Sequence, residues 1–371
     1  MSDESMWPDK RTVVLLFGGR SSEHGISCVT AAGVLRSIDR SRFDVIPVGI
    51  TKRGATVLLD EEDLAGYRLE AGALPEVPEN GTRVLWPASI DTRALSVILP
   101  SGELRSLGRI DAVLAMMHGP FGEDGAVQGM LDLVDVPYVG SGVLGSALCM
   151  DKHALKTVLA AAGIRVAPWR TVTRSQLAND PALASRLDEG LSYPLFVKPN
   201  RAGSSVGVSR VVSPAGLPAA LETAFAEDSI VLVESGIIGR EVEIGVLQGR
   251  GGEAPRTSAV IGEIVFEGRD FYDFEAKYLG APGISLSLPA EVTAAEFRAI
   301  RDAAVVAFET AQCAGLARID FFLTADGPVL NEINTLPGFT PISMFPRLWE
   351  ESGLGYTALI TELVELALEG R

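Results

Sequence analysis

Residues 318–334 read RIDFFLTADGPVLNEIN, two largely apolar runs separated by Ala325-Asp326-Gly327. Such a pattern around a Gly-bearing turn predicts a β-hairpin. With ADG (325–327) as a three-residue loop and Gly327 in the left-handed conformation, Thr324 pairs with Pro328. Counting back, Asp320 lies opposite Glu332 and Arg318 opposite Asn334. Like charges directly across a sheet are destabilising, so the two carboxylates require a proton or a cation between them. Carboxylate and amide oxygens suit a hard ion, and Mg2+ commonly takes one or two carboxylates together with substrate phosphates. A two-residue loop would send Asp320 and Glu332 to opposite faces, because side chains alternate along a strand. The Pro337-Gly338 turn then ends the second strand.

Outward from this hairpin the chain changes character. In the first third, TVVLLFGG (12–19), FDVIPVGI (43–50), IDAVLAMMHG (110–119) and VPYVG (136–140) read as strands, alternating with the helical CVTAAGVLRSI (28–38) and AVQGMLDLVD (126–135). Alternating strands and helices predict a parallel sheet covered on both faces. Residues 52–108 read as an insertion of loops and short strands. The middle third holds a helix in DKHALKTVLAAAGI (151–164) with Asp151 as N-cap, then four strand-like runs and a helix around 215–226. A long helix near 293–313 and an amphipathic C-terminal helix complete the last third. The segment 267–283 is long, charged and Gly-bearing, as lids are. The reading is an α/β and α+β multidomain chain: 1–140, 141–238 and 239–371.

Bulk properties exclude several classes. The chain has 371 residues, 47% hydrophobic and 22% charged, an ordinary globular profile. MSDESMWPDK lacks the basic and apolar regions of a secretory signal, and no apolar run approaches the roughly 20 residues of a membrane span. Cys28, Cys149 and Cys313 are widely spaced and odd in number, which fits reduced thiols and the cytosol. With three His, a His/Cys zinc site is not expected. The net charge of −16 argues against nucleic acid as a partner. Only six of 32 basic residues are Lys (10, 52, 152, 156, 198 and 277), so lysines are expected to favour places that need a compact ammonium, the alternative being compositional drift.

Two Gly-rich stretches differ in value. GSGVLG (140–145) matches the spacing of a dinucleotide loop but lacks the acid about 20 residues later that holds the ribose. VKPNRAGSSVGVSRV (197–211) has two strands flanking Gly203, Ser204, Ser205 and Gly207, with Lys198 beside them. Glycines let backbone N–H groups crowd an anion and serine hydroxyls add donors, so this reads as a phosphate flap.

The flap, the RID…NEIN hairpin and DFEAKY resemble the ATP-grasp ligases, and within them the D-alanine–D-alanine ligases. GGRSSEHGIS, HGPFGEDGAVQGMLDLVDVPYVGSGVLGSALCMDK and EINTLPGFTPIS extend the resemblance over the chain apart from 52–108 and the termini. It implies an ATP-grasp fold behind a Rossmann-like N-terminal domain. It also implies ATP, with two Mg2+ expected (Mn2+ as substitute), and formation of D-alanyl-D-alanine through a D-alanyl phosphate. Lys152, Lys198 and Lys277 match phosphate contacts, Ser205 lies in the flap, and Glu234 and Glu241 match adenine-side and ribose contacts. Asp320, Glu332 and Asn334 match the metal ligands. Arg318 and the Gly338 amide match oxyanion donors, and Ser343 a contact to the second carboxylate. Glu23, linked to Ser204 and Tyr278, matches the anchor of the first substrate's ammonium, and His118 a contact to that substrate. Without the resemblance, Glu23-His24 would read as a helix cap. Gly25 stands where relatives generally carry an acid. A homodimer is expected by analogy. The rival readings are a D-Ala–D-Ser or depsipeptide ligase, disfavoured by Tyr278, and a non-catalytic nucleotide sensor, disfavoured by the intact Arg318 and metal set.

Overall fold

The computed structural model describes residues 10–69, 73–266 and 284–370. Lys277 and Tyr278, with the expected lid 267–283, lie outside them. The first strands are β1 (Arg11–Gly18), β2 (Phe43–Ile50) and β3 (Thr56–Leu58), followed by β4 (Arg83–Leu85), β5 (Ala94–Ile98), β6 (Leu104–Arg109) and β7 (Ala112–Met116). β1 pairs in parallel with β2 and β7, and β3 closes one edge antiparallel, giving the order β3-β2-β1-β7. Val13 to Phe17 are buried throughout, as a parallel strand covered on both faces requires. Helix His24–Ser37 and the C-terminal helix Tyr356–Glu369 contribute to one core, and Val84, Leu95 and Val97 from the separate β4-β5-β6 sheet to another. VPYVG contributes only a bridge between Val113 and Tyr138. Pro137 has no N–H for a ladder, and Gly140, at φ +102°, turns the chain away.

β8 (Trp169–Thr173), β9 (Leu195–Pro199), β10 (Ser209–Val211) and β11 (Ile230–Ser235) form an antiparallel sheet ordered β10-β9-β11-β8, backed by helix Leu217–Phe225. The flap joins β9 to β10. Its left-handed residues are Ser204 (φ +50°), Ser205 (+58°) and Gly207 (+71°), so two of its three turning positions are serines. Asp151 caps helix Lys152–Ala161 by accepting the Ala154 N–H at 2.9 Å, as the sequence predicts.

The largest sheet combines β12 (Arg240–Leu247), β13 (Arg256–Thr257), β14 (Gly262–Phe266), β15 (Ile284–Ser287), β16 (Leu316–Thr324) and β17 (Gly327–Asn334). The hairpin reaches its expected pairing by another route. Thr324 pairs with Gly327, not Pro328, so the loop is Ala325-Asp326 alone. Taken by itself, that register separates the two acids. A bulge then intervenes: Phe321 pairs with Leu330 and Asp320 with Glu332, leaving Asn331 as the extra residue. One inserted residue reverses the alternation, which restores Asp320 opposite Glu332 and Arg318 opposite Asn334.

Candidate active site

A cavity of about 620 Å³ opens where the loops after β1 and β7, the flap and the end of β17 converge. The hairpin supplies one wall. Arg318 donates from Nε to Asp320 Oδ1 at 2.8 Å and from Nη2 to Oδ2 at 2.7 Å, and Asn334 Nδ2 donates to Asp320 Oδ2 at 3.0 Å. Glu243, opposite Asp320 on β12, brings Oε2 to 3.3 Å from Arg318 Nε. Burial alone would weaken Arg318's hold on its proton. The carboxylates of Asp320, Glu243 and Glu332 outweigh that and raise its pKa well above the ordinary value. One cation among three acids leaves this wall anionic.

A second charged cluster lines the same cavity. Glu234, nearly fully buried, is bonded by both Lys198 and Lys156, the latter at 2.9 Å. Burial pushes the Glu234 carboxyl up, but the two ammoniums prevail and bring it down to about 2. Burial pulls Lys156 down despite its acid partner. Lys152 Nζ donates to the flap carbonyl of Ala202 at 2.6 Å. Three lysines with one carboxylate make this wall cationic, while Lys10 and Lys52 pair with Asp44 and Glu76 on the exterior.

The third side belongs to the N-terminal loops. Glu23 precedes helix His24–Ser37 without capping it by its side chain. Its carboxylate instead accepts from Ser204 Oγ at 2.6 Å, tying the flap to the N-terminal sheet. A Cβ on Gly119 would lie 2.5 Å from Glu23 Oε2, so the absence of a side chain there permits the approach, while one on Gly203 would sit in ordinary contact at 3.4 Å. His118 pairs Nδ1 with Leu336 O at 3.2 Å and Nε2 with Thr30 Oγ1 at 3.5 Å. Burial lowers its pKa, favouring the neutral ring. Glu123 accepts the N–H groups of Gly119 and Leu336 at 2.7 and 3.1 Å. Burial, then the charge of Glu23, raises it to about 8. Beyond β17, Ser343 Oγ accepts the Thr340 N–H at 3.1 Å beside Gly338.

A cationic and an anionic cluster lining one cavity with a serine-bearing flap are a place for a polyphosphate and its counter-ion. Residues 12–141 match the family model described as D-ala D-ala ligase N-terminus, and residues 158–365 that described as D-ala D-ala ligase C-terminus. The chain belongs to the D-alanine–D-alanine ligase family. Among curated relatives, the D-alanine–D-alanine ligase of Pseudarthrobacter chlorophenolicus is 48% identical over 370 residues, covering 99% of this chain and 96% of its own. That of Kineococcus radiotolerans is 49% identical over 367 residues, covering 97% of each. Among solved structures, the VanG D-Ala:D-Ser ligase of Enterococcus faecalis superposes with a TM-score of 0.81 at 32% identity, covering 97% of this chain and 100% of that one. The D-alanine–D-alanine ligase of Bacillus anthracis complexed with ATP gives 0.69 at 26% identity, covering 96% and 97%. The fold is accordingly the ATP-grasp fold.

Most residues singled out in the ligase sequence line this one cavity: Glu23, His118, Lys152, Lys198, Ser204, Glu234, Arg318, Glu332, Asn334, Gly338 and Ser343. Ser205, Glu241 and Asp320 do not line it; Asp320 turns its carboxylate onto Arg318. Sequence reasoning missed Glu123, Lys156 and Glu243, which do line it. Lys156, one turn after Lys152 on the same helix, could have been found from that spacing. Glu243 shares a strand face with Glu241. Nothing local distinguishes Glu123 from Asp124. Gly25 is explained by packing: a Cβ there would overlap Leu74 of the 52–108 insertion.

Proposed function

We propose that this ligase joins two D-alanines with consumption of one ATP, supplying D-alanyl-D-alanine for peptidoglycan precursors. A carboxylate oxygen of the first D-alanine attacks the γ-phosphorus, the bond to the β-phosphate oxygen breaks, and ADP leaves. The amine of the second D-alanine then attacks the acyl carbon, loses its proton, and phosphate departs with the C–O electrons. What supports this reading, beyond family membership, is the gathering of Lys152, Lys156, Lys198 and Arg318 around a single cavity. Phosphoryl transfer is mainly positioning and charge stabilisation, the task these groups suit.

Glu23 anchors the first ammonium, and the Ser204 bond keeps the flap down while it does so. Arg318 and the Gly338 N–H stabilise the oxyanion. Ser343 holds the second carboxylate. His118, with both ring nitrogens engaged inside the protein, shapes the first-substrate side by contact. Lys277, Tyr278 and the lid 267–283 complete the site and exclude water from the acyl phosphate. Glu241 takes the ribose, Glu234 reaches the adenine side through Lys156 and Lys198, and Ser205 supports the flap.

Two Mg2+ ions are proposed, held by Asp320, Glu332 and Asn334. Among the described residues no group of three His, Cys, Asp or Glu could hold a metal. A set of two carboxylates and an amide fits an ion that also uses phosphate oxygens and water. When bound, Mg2+ supplies charge neutralisation at the phosphates; Arg318 then shares Asp320 with it.

The domains run 1–140, 141–238 and 239–371. We place the ligase in the cytoplasm, where ATP is available; no described helix is long and apolar enough to cross a membrane. A homodimer is supported by exposed Leu133, just past the end of helix Ala126–Asp132, and Val143 and Leu144 at the start of helix Val143–Met150, and Leu133→Asp is expected to shift the sedimentation of the enzyme toward monomer. The central test is phosphate release from ATP with D-alanine, L-alanine, D-serine or D-lactate supplied in turn. D-alanine should stimulate most; absence of stimulation by it ends the reading, and a greater response to D-serine mixed with D-alanine moves it to the D-Ala–D-Ser class.

A further inference from the structure

Glu123 has no part in the reaction as set out above, yet its two carboxylate oxygens hold amides from two different loops that line the cavity. Oε2 accepts the Gly119 N–H from the loop after β7, and Oε1 accepts the Leu336 N–H from the turn after β17. His118 holds the same residue by its other group, since a carbonyl only accepts and the Nδ1 facing Leu336 O must therefore carry the proton. Leu336 is thus gripped at N–H and C=O by side chains 213 and 218 residues away. Two positions on, Gly338 lines the cavity against Ser343.

The geometry has a chemical requirement. The two N–H donors meet different oxygens of the side chain; a carboxyl group has an oxygen at both places, whereas an amide has one oxygen and an NH2 that cannot accept. Keeping an acid here is expensive, because it is buried and lies near Glu23. A residue retained only for packing would not need an oxygen facing each of the two amides.

We propose that Glu123 is a positioning residue for acyl transfer: by fastening Leu336 to the loop at 118–125, it fixes the turn 335–338 and the direction of the Gly338 N–H toward the developing oxyanion. The proposal rests on the reading of Gly338 and Arg318 as oxyanion donors. Phosphoryl transfer uses the lysine wall and not this turn. The two chemical steps should therefore respond differently to loss of Glu123.

Single-turnover rapid quench separates them, reading ADP, dipeptide, and acyl phosphate trapped by hydroxylamine as the hydroxamate. In Glu123→Gln, nearly the same size but with one acceptor in place of two, dipeptide formation should slow about 10- to 100-fold. ADP formation should keep the parent rate, and hydroxamate should accumulate. Glu123→Ala should show the same split more strongly. Native dipeptide formation in both variants, a parallel fall of ADP and dipeptide, or failure of both to fold would each overturn the proposal. Arg318→Lys is run beside them. Slow dipeptide formation in Arg318→Lys with native behaviour in the Glu123 variants rejects the role of Glu123 alone. Native dipeptide formation in Arg318→Lys rejects the oxyanion reading beneath it.

Discussion

Glu234→Gln tests the cationic wall most directly. Glu234 and Lys156 are each about 5% exposed at the side chain and Lys198 16%, so the acid balances two ammoniums with little water nearby. A glutamate brought from 4.5 down to about 2 by folding corresponds to about 3 kcal/mol favouring the ionised form. Breaking a buried pair by removing one partner typically costs about 3–5 kcal/mol, which agrees. At pH 7, Glu234→Gln should therefore lose about 3 kcal/mol in the transition of the β8–β11 sheet. Urea unfolding followed by tryptophan fluorescence can read this, because Lys156 Nζ lies 5.7 Å from the ring of Trp169 in that sheet. The pH dependence follows from the depressed carboxyl. Its stabilisation is complete above about 4.5, the unfolded value, and is lost as pH falls toward about 2. The variant has no such contribution to lose, so the gap between parent and variant should narrow with acid. A gap below about 1 kcal/mol at pH 7, the value of an exposed pair, or one constant with pH, would refute the reasoning.

Other outcomes are equally specific. Gly25→Ala places a methyl into Leu74 and should cost about 1–3 kcal/mol as an overpacking change, with Leu74→Gly largely restoring the melting temperature of the double variant. Glu332→Gln should weaken Mg2+ activation of dipeptide synthesis while leaving the melting temperature of the metal-free protein near the parent's; unchanged Mg2+ dependence sinks the metal assignment. Cys28, pushed up to about 12 mainly by burial, and Cys149, a free thiol raised by its hydrogen bond with the Cys313 thiol and by burial, should resist a thiol-specific disulfide reagent at pH 7.5 until denaturant is added. Fast labelling of Cys28 or Cys149 in the folded enzyme would contradict the buried placement.

Alternating apolar strands and helices specified a parallel N-terminal sheet, and the flap and the RID…NEIN hairpin could be located from spacing alone, because periodicity and turn chemistry are local properties. Two of the few lysines are legible for a related reason: in an Arg-dominated chain, Lys152 and Lys198 stand out, and both line the cavity. The hairpin marks the limit. Its loop has two residues, and Asp320 faces Glu332 only because a bulge at Asn331 corrects the register, a compensation with no signature in composition. Glu123 meets Leu336 across 213 residues, and Gly25 is required by Leu74 from an insertion that carried no readable pattern. Sequence by itself determined which elements form and which chemistry they could hold. The tertiary structure alone decided which acids meet a guanidinium, an ammonium or a backbone amide, because burial and Coulomb forces act through space between elements the chain order keeps apart.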